Sequence, residues 1–202
     1  MITTSKLFEY DKSFSCTVGG MDEAGRGPLA GPVVCACCIM PLDSMIDGIN
    51  DSKKVSEKNR ERLFDEIISK ALAYGVGIVE HDVIDEINIL EATKLGMKRA
   101  FDGMTVKPEI MLIDAVKLEL SVPSKSLIKG DAQSYNIAAA SIIAKVTRDR
   151  IMREYDSLYP QYGFSKNKGY GTKVHTDAIG TIGSCPIHRR TFIRKFENVE
   201  KR

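Results

Sequence analysis

Residues 22–34 of the chain read DEAGRGPLAGPVV, a stretch rich in glycine and proline. It joins two apolar runs, Cys16–Glu23 and Val33–Met40, which we predict to be strands. The glycines and prolines between them break regular structure and predict a loop. The stretch therefore places two carboxylates, those of Asp22 and Glu23, at the end of a strand and directly before a glycine-rich loop.

Strands alternate with helices along the rest of the chain. Apolar residues recur at helical spacing after Ser56, the expected N-cap, whereas Glu109–Ala115 is apolar enough for a strand buried on both faces. We predict helices at Ser56–Ala71, Ile89–Phe101 and Ala132–Tyr155, and further strands at Tyr74–His81, Glu109–Ala115 and Lys125–Lys129. This succession predicts an α/β fold around a mixed sheet.

Length and composition indicate one globular domain. The chain has 202 residues, of which 43% are hydrophobic, 28% charged and 7% aromatic. Residues 1–14 lack the apolar run of a secretory signal, and no segment nears the ~20 apolar residues of a membrane span. We therefore expect a cytoplasmic protein without a membrane segment, and a monomer.

Charge is divided unevenly along the chain. Residues 164–202 hold nine Lys or Arg against three Asp or Glu, a net charge of +6, which leaves −4 for residues 1–163. A basic C-terminal part suits a polyanionic partner, and an acidic remainder suits carboxylates gathered around a cation. An ordinary solvated surface is the alternative interpretation.

The five cysteines do not indicate disulfides, because their number is odd. Strand alternation predicts that Cys35 and Cys37 share one face of the second strand and that Cys38 occupies the other. We interpret them as small buried core residues, with metal binding as the weaker alternative.

Four carboxylates are expected at one edge of the sheet: Asp22 and Glu23 close the first strand, Asp114 closes a buried strand, and Asp131 follows a short one. Such a cluster repels itself unless it is protonated or binds cations, and hard oxygen ligands favour magnesium or manganese. Singly, each residue could instead be a cap or turn residue. Because consecutive strand residues face opposite sides, we expect the strand to end, bulge or turn between Asp22 and Glu23.

Several segments together resemble the type 2 ribonuclease H family. Besides residues 22–34, they are Asn50-Asp51-Ser52-Lys53-Lys54, Leu112-Ile113-Asp114-Ala115, Lys129-Gly130-Asp131, the run from Ser134 to Arg148, Lys168-Gly169-Tyr170-Gly171-Thr172 and Pro186-Ile187-His188-Arg189-Arg190. The resemblance covers about residues 16–193. It implies an RNase H-like fold, a mixed five-stranded sheet flanked by helices, with the catalytic part in residues 1–160. Residues 161–202 would form a small basic, helical substrate-binding segment of the same domain.

The resemblance also implies an activity. The enzyme would be an endonuclease that hydrolyses the RNA strand of RNA/DNA hybrids and cuts 5′ of single ribonucleotides in duplex DNA, leaving 3′-hydroxyl and 5′-phosphate ends. The family's acidic residues map onto Asp22, Glu23, Asp114 and Asp131, which would hold two Mg²⁺ or Mn²⁺ ions during catalysis. We place Asp22 between the ions and Asp131 nearer the attacking water.

Substrate-binding residues follow from the same resemblance. The loop Gly25-Arg26-Gly27 would contact the ribonucleotide, and Tyr170 would stack on the sugar of the next deoxynucleotide; either could otherwise be an ordinary turn or aromatic residue. Lys53, Ser141 and Lys145 are interpreted as phosphate contacts, with solvated charge left open as the alternative. The patterns assign no general base to His81, His175 or His188.

Two other function classes fit parts of the pattern. Another nuclease or resolvase of the same fold would share the carboxylates but not the pair formed by the Gly-Arg-Gly loop and Gly-Tyr-Gly. A non-catalytic nucleic-acid-binding module would need only the basic segment. Metal dependence of cleavage at one ribonucleotide separates the three.

Overall fold

Five strands form one mixed sheet in the computed structural model, which describes residues 3–197. The strands are β1 (Val18–Ala24), β2 (Val33–Ile39), β3 (Ala73–Val79), β4 (Ile110–Asp114) and β5 (Ser124–Leu127). In the order β3-β2-β1-β4-β5, β2 is antiparallel to both β1 and β3, whereas β4 is parallel to both β1 and β5. The predicted α/β fold with a mixed five-stranded sheet is confirmed.

Helices flank this sheet on both faces. They are α1 (Thr4–Lys12), α2 (Glu57–Lys70), α3 (His81–Asp102), α4 (Tyr135–Leu158), α5 (Phe164–Asn167), α6 (Lys173–Ile182) and α7 (Arg190–Glu197), with short 3-10 helices at Gly130–Ala132 and Pro160–Tyr162. None of those within residues 3–197 combines the length and the apolar character needed to cross a bilayer.

Strand β2 shows how the sequence divides the core between the two faces. Cys35 and Cys37 pack in the cluster that contains α3, whereas Cys38 packs with α4 on the other face. All three are fully buried free thiols. The predicted alternation and the core role of these cysteines are confirmed.

Helix α4 lies directly on the central strand β1. A Cβ atom added to Gly20 would lie 2.0 Å from the backbone carbon of Asn136, so only glycine permits this approach. Ser134 caps the helix by accepting a hydrogen bond from the Ile137 N–H at 3.2 Å. The close contact brings the chain segment before α4, which carries Asp131, to the edge where β1 ends.

Helix α1 was not predicted. Its Leu7 and Phe8 join the core on the α4 face, and the Phe8 ring meets that of Tyr135 edge-on with centroids 5.3 Å apart. Its Asp11 accepts hydrogen bonds through Oδ2 from Ser134 Oγ at 2.9 Å and from the Asn136 N–H at 2.7 Å. A carboxylate at the N-terminus of α4 suits the helix dipole.

Several predicted boundaries were wrong by a few residues. The helix predicted from Ile89 is the second half of α3, which begins at His81 and kinks at Asn88, where φ is +67°. Asn88 Oδ1 accepts hydrogen bonds from the Leu90 and Glu91 N–H groups and so acts as an internal cap. Helix α4 begins at Tyr135 rather than Ala132 because Gly130–Ala132 forms the 3-10 turn.

The C-terminal helices form a small subdomain with its own apolar cluster. Phe164, Ile179 and Ile193 of α5, α6 and α7 pack against Leu29 of the glycine-rich loop and Met152 of α4. This confirms the helical subdomain of the predicted fold. The division into residues 1–160 and 161–202 stays a prediction, and residues 1–2 and 198–202 of those segments lie outside the described residues.

Candidate active site

The predicted acidic residues meet at the edge where the parallel strands end. Asp114 is the last residue of β4, and Asp131 lies in the 3-10 turn shortly after β5. Asp22 and Asp114 each stand two residues beyond the paired Gly20 and Leu112, so they occupy the same face of adjacent strands. Asp114 Oδ1 accepts a hydrogen bond from the Gly130 N–H at 2.6 Å, which ties the turn carrying Asp131 to β4.

Asp22 and Glu23 reach the site from opposite faces of a regular strand. Asp22 pairs with Ala36 and Glu23 with Cys35, and the ladder continues through Ala24 without interruption. The break or bulge expected between the two acids was therefore wrong. Asp22 Oδ1 instead folds back to accept a hydrogen bond from the Glu23 N–H at 2.7 Å, at the point where both side chains reach the sheet edge.

The acids share an electrostatically unfavourable environment. Burial, followed by the charges of Glu23 and Asp114, raises the pKa of Asp22 well above its usual value. Burial also raises the pKa of Glu23 despite the nearby Arg26, and burial followed by the charge of Asp51 raises that of Asp131. Asp22, Glu23 and Asp131 therefore resist ionisation until a cation neutralises the group.

The donor set fits a divalent cation. Glu23 Oε2 is buried without a hydrogen-bond partner among residues 3–197, which leaves a carboxyl oxygen to be satisfied at the sheet edge. Carboxylate oxygens are the ligands that magnesium and manganese prefer. No three His, Cys, Asp or Glu side chains in the described part of the chain form a complete metal-binding group as they stand, so binding would require side-chain rearrangement.

The Gly-Arg-Gly loop and Tyr170 lie next to each other. Gly25 has φ +101°, and a Cβ there would lie 2.1 Å from Arg148 Nε, so the position requires glycine. A Cβ on Gly27 would be 3.8 Å from Tyr170 Cε1, an ordinary contact with the ring. Tyr170 as a residue is 47% exposed, and the Leu29 N–H donates to Gly169 O at 2.8 Å.

Comparison with known proteins identifies the family. The sequence model of the family described as Ribonuclease HII matches residues 19–195. The chain belongs to the ribonuclease HII family. Ribonuclease HII of Listeria monocytogenes serotype 4b (strain F2365) is 58% identical over 175 residues, or 87% of this chain and 67% of that protein. Ribonuclease HII of Acetivibrio thermocellus is 57% identical over 180 residues, or 89% of this chain and 70% of that protein.

A solved structure agrees with this assignment. The crystal structure of ribonuclease H2 from Pyrococcus horikoshii OT3 superposes with a TM-score of 0.75 and 29% identity, covering 90% of this chain and 97% of that one. As a member of the ribonuclease HII family, the chain is an endoribonuclease of the ribonuclease H type. The recognition of the family from its sequence segments is confirmed.

In this ribonuclease HII family member, the three residues predicted to contact phosphates, Lys53, Ser141 and Lys145, have different surroundings. Lys53 faces the acids: although burial lowers its pKa, the charges of Asp131 and Asp51 outweigh that effect and raise it. Ser141 is only 2% exposed and its hydroxyl donates to Ala138 O at 2.8 Å, so the prediction that it contacts a phosphate is contradicted by its burial. Lys145 Nζ lies 2.5 Å from Asp149 Oδ1 in an internal ion pair, and its phosphate contact stays a prediction.

Asp51 is a further acid of the cluster that the sequence argument did not single out. It lies close enough to Asp131 for its charge to raise the pKa of that residue. It also accepts a hydrogen bond from the Lys53 N–H at 3.0 Å. The segment Asn50-Asp51-Ser52-Lys53-Lys54 was the available signal, but only its lysines were considered.

Two buried arginines, also missed, hold the glycine-rich loop by its carbonyl oxygens. Arg189 donates from Nε to Gly31 O at 3.0 Å, from Nη1 to Arg26 O at 3.0 Å and from Nη2 to Gly25 O at 2.6 Å. Its side chain is fully buried. We call Arg189 and Arg148 together the carbonyl clamp.

Arg148, the second member of the carbonyl clamp, is 1% exposed. It donates from Nε to Pro32 O at 2.9 Å, from Nη1 to Lys168 O at 2.9 Å and from Nη2 to Ala30 O at 3.1 Å. Burial lowers the pKa of Arg148 to about 10 and that of Arg189 to about 9.

Two buried histidines support Tyr170. Their Nε2 atoms are 2.9 Å apart, while His175 Nδ1 is 2.9 Å from Tyr170 O and His188 Nδ1 is 2.9 Å from the Cys185 N–H. One proton assignment satisfies all three contacts: His175 donates to Tyr170, His188 donates to His175, and His188 accepts from Cys185. Both rings are therefore neutral, and burial lowers the pKa of both, that of His188 to about 4.

Proposed function

We propose that this endoribonuclease hydrolyses the RNA strand of RNA/DNA hybrids and cuts on the 5′ side of single ribonucleotides in duplex DNA, leaving 3′-hydroxyl and 5′-phosphate ends. The observation that carries the proposal is the placement of the acidic cluster beside a loop whose Gly27 lies against Tyr170. Glycine lets backbone amides approach a sugar and phosphate closely, and Tyr170 supplies an exposed aromatic face beside them.

Asp22, Glu23, Asp114 and Asp131 would hold two divalent ions, Mg²⁺ or Mn²⁺, with Asp22 between them and Asp131 nearer the attacking water. When bound, such ions polarise the phosphate and lower the pKa of the attacking water. The mutual repulsion of the carboxylates and the unpartnered Glu23 Oε2 support this role. Lys53, which faces the same acids, would hold a backbone phosphate of the substrate. The expected cytoplasmic location and monomeric state stay predictions.

The test is cleavage of a DNA duplex with one ribonucleotide, mapped at nucleotide resolution with Mg²⁺, with Mn²⁺ and with a chelator. We expect metal-dependent cutting at the 5′ side of the ribonucleotide and none in the same duplex made of DNA alone. Cutting of both duplexes would favour another nuclease of this fold, and binding without cutting would favour a non-catalytic module.

Asp22→Asn is the matched control, because the amide keeps the shape of the side chain and removes its charge. We expect cleavage to fall by roughly 100-fold or more, the scale of lost electrostatic stabilisation at a reacting centre. Without metal, the variant should unfold at no lower temperature than the wild type, since a repulsive charge has been removed. Near-wild-type turnover at saturating Mg²⁺ would contradict the metal assignment.

A further inference from the structure

The carbonyl clamp consists of two buried cations, although the stability of the folded state does not by itself require buried charges at these positions. Six guanidinium N–H groups donate to backbone carbonyls, three of them from Arg189 to Gly25, Arg26 and Gly31. Burying a guanidinium has a large desolvation cost, and apolar side chains often stabilise a core equally well. What a planar guanidinium adds is direction, because its rigid fork fixes the orientation of the groups that accept from it.

The orientation of these carbonyls sets that of the neighbouring N–H groups. In a trans peptide unit, the C=O of one residue and the N–H of the next point in opposite directions. With the carbonyls of Gly25 and Arg26 turned towards Arg189, the N–H groups of Arg26 and Gly27 point away from the buried guanidinium. Neither N–H donates to another group within residues 3–197.

We propose that Arg189 is a positioning residue for ribonucleotide recognition, which aims the N–H groups of Arg26 and Gly27 at the 2′-hydroxyl and adjacent phosphate of the bound ribonucleotide. The inference rests on the proposed function. A cation on the carbonyl side also polarises each peptide unit and makes its N–H a stronger donor. Gly27 lies against the Tyr170 ring, so the N–H groups of Arg26 and Gly27 contact one nucleotide and the aromatic face contacts its neighbour.

Arg189, rather than Arg148, is the member to test. Its fork holds the carbonyls of the two residues before the recognising amides in addition to that of Gly31, whereas Arg148 holds those of Ala30, Pro32 and Lys168 and neither of these two. Replacing Arg148 would therefore disturb the whole loop and its contact with the C-terminal subdomain. Replacing Arg189 by lysine keeps the positive charge and removes the fork.

The experiment compares wild type, Arg189→Lys and Arg99→Lys. Arg99 is an exposed arginine of α3 that also donates to a backbone carbonyl, that of Ile78 at 2.7 Å, so the same substitution there controls for loss of a guanidinium. We measure single-turnover cleavage of a duplex with one ribonucleotide, and the Kd for the same duplex made of DNA alone. For Arg189→Lys we expect cleavage to fall by about tenfold or more, through lost alignment, with a change of about twofold or less in the Kd for DNA. Arg99→Lys should match the wild type in both.

A purely structural role is excluded by a stability-matched comparison. The double variant Cys35→Ala/Cys37→Ala weakens the core on the α3 face, so it shows what destabilisation alone does to cleavage; Arg189→Gln serves as a second substitution if the lysine variant folds poorly. The inference is overturned if Arg189→Lys cleaves within about twofold of wild type, or loses affinity for plain DNA by the same factor as cleavage. If the wild type itself shows no preference for a ribonucleotide, the proposed function fails, and the inference fails with it.

Discussion

Tyr170 is the residue on which discrimination between a lone ribonucleotide and a longer RNA run depends in the proposed function. The residue is 47% exposed beside Gly27, while its backbone oxygen lies 2.9 Å from His175 Nδ1. An aromatic ring packed on a deoxyribose leaves little space for a second 2′-hydroxyl. The exposed ring can thus distinguish a deoxyribose from a ribose at this position, whereas phosphate contacts alone fix only the register of the enzyme on the duplex.

We therefore expect Tyr170→Ala to impair cleavage of a duplex with one ribonucleotide more than cleavage of a duplex with a run of ribonucleotides. The loss should correspond to about 1–3 kcal/mol, the usual value of an aromatic contact with a nucleotide. Tyr170→Phe keeps the ring and should retain most of the activity. Single-turnover rates on both duplexes provide the measurement, and equal losses on the two would mean that Tyr170 does not sense the junction.

At the same scale, the sequence indicates carboxylates better than it indicates the groups that position a backbone. Asp22, Asp114 and Asp131 could be placed at one edge because strand ends follow from apolar patterns. Arg148 and Arg189 could not be recognised, because all their partners are carbonyl oxygens, which every residue carries. Ser141 was misjudged for a related reason: helical spacing relates it to Lys145 but does not say which side of α4 is buried.

Among the elements, strand β2 offers a quantitative test of its cysteines. Burial raises the pKa of Cys35 well above its ordinary value and that of Cys37 to about 12, so both remain thiols and act as small apolar groups. Cys35→Ala/Cys37→Ala should lower the free energy of unfolding by about 1–2 kcal/mol, as for small losses of buried volume, and should leave cleavage intact.

Denaturant unfolding and cleavage assays on the same sample check the cysteine prediction. Cys16→Ala is the control, since Cys16 is only partly buried and should change stability much less. Loss of metal-dependent cleavage by a double variant that remains folded would show that these thiols have a chemical role.

Elements that depend on distant contacts were the hardest to predict. Helix α1 has few apolar residues, and its Asp11 gains a role only from Ser134 and Asn136, more than a hundred residues later. The first half of α3 was missed because Asn88 interrupts the helical pattern. Strands β1, β2 and β4, in contrast, combine apolar runs with flanking loop residues, and the pattern of each is local.

For the molecule as a whole, the buried histidine pair predicts loss of stability in acid. His188 is 2% exposed, and burial lowers its pKa from the ordinary value of 6.5 to about 4. Between these values the unfolded chain binds a proton that the folded chain does not, so the free energy of unfolding decreases as pH falls. From about pH 7.5 to about pH 5, this one group should lower it by about 2 kcal/mol.

The carboxylates oppose this effect, because their raised pKa values make the folded chain bind protons first. The contribution of the histidine is therefore isolated with His188→Asn, whose amide oxygen can still accept from the Cys185 N–H. Denaturant unfolding of both proteins across this pH range is the measurement. The stability difference between wild type and variant should shrink towards acid, and parallel pH curves would contradict the assignment of a neutral His188.

The hydrogen bond from Arg189 to Gly25 joins residues 164 positions apart. A ribosome adds roughly 5 to 20 residues per second, so Arg189 is synthesised on the order of ten seconds after the loop at Gly25 whose carbonyl it holds. Asp22 and Glu23 are made before that loop can be fixed. In the proposed function, the loop that recognises a ribonucleotide is thus fixed late in translation, and a nascent chain interrupted before Arg189 carries the acids of the site without the side chain that orients this loop.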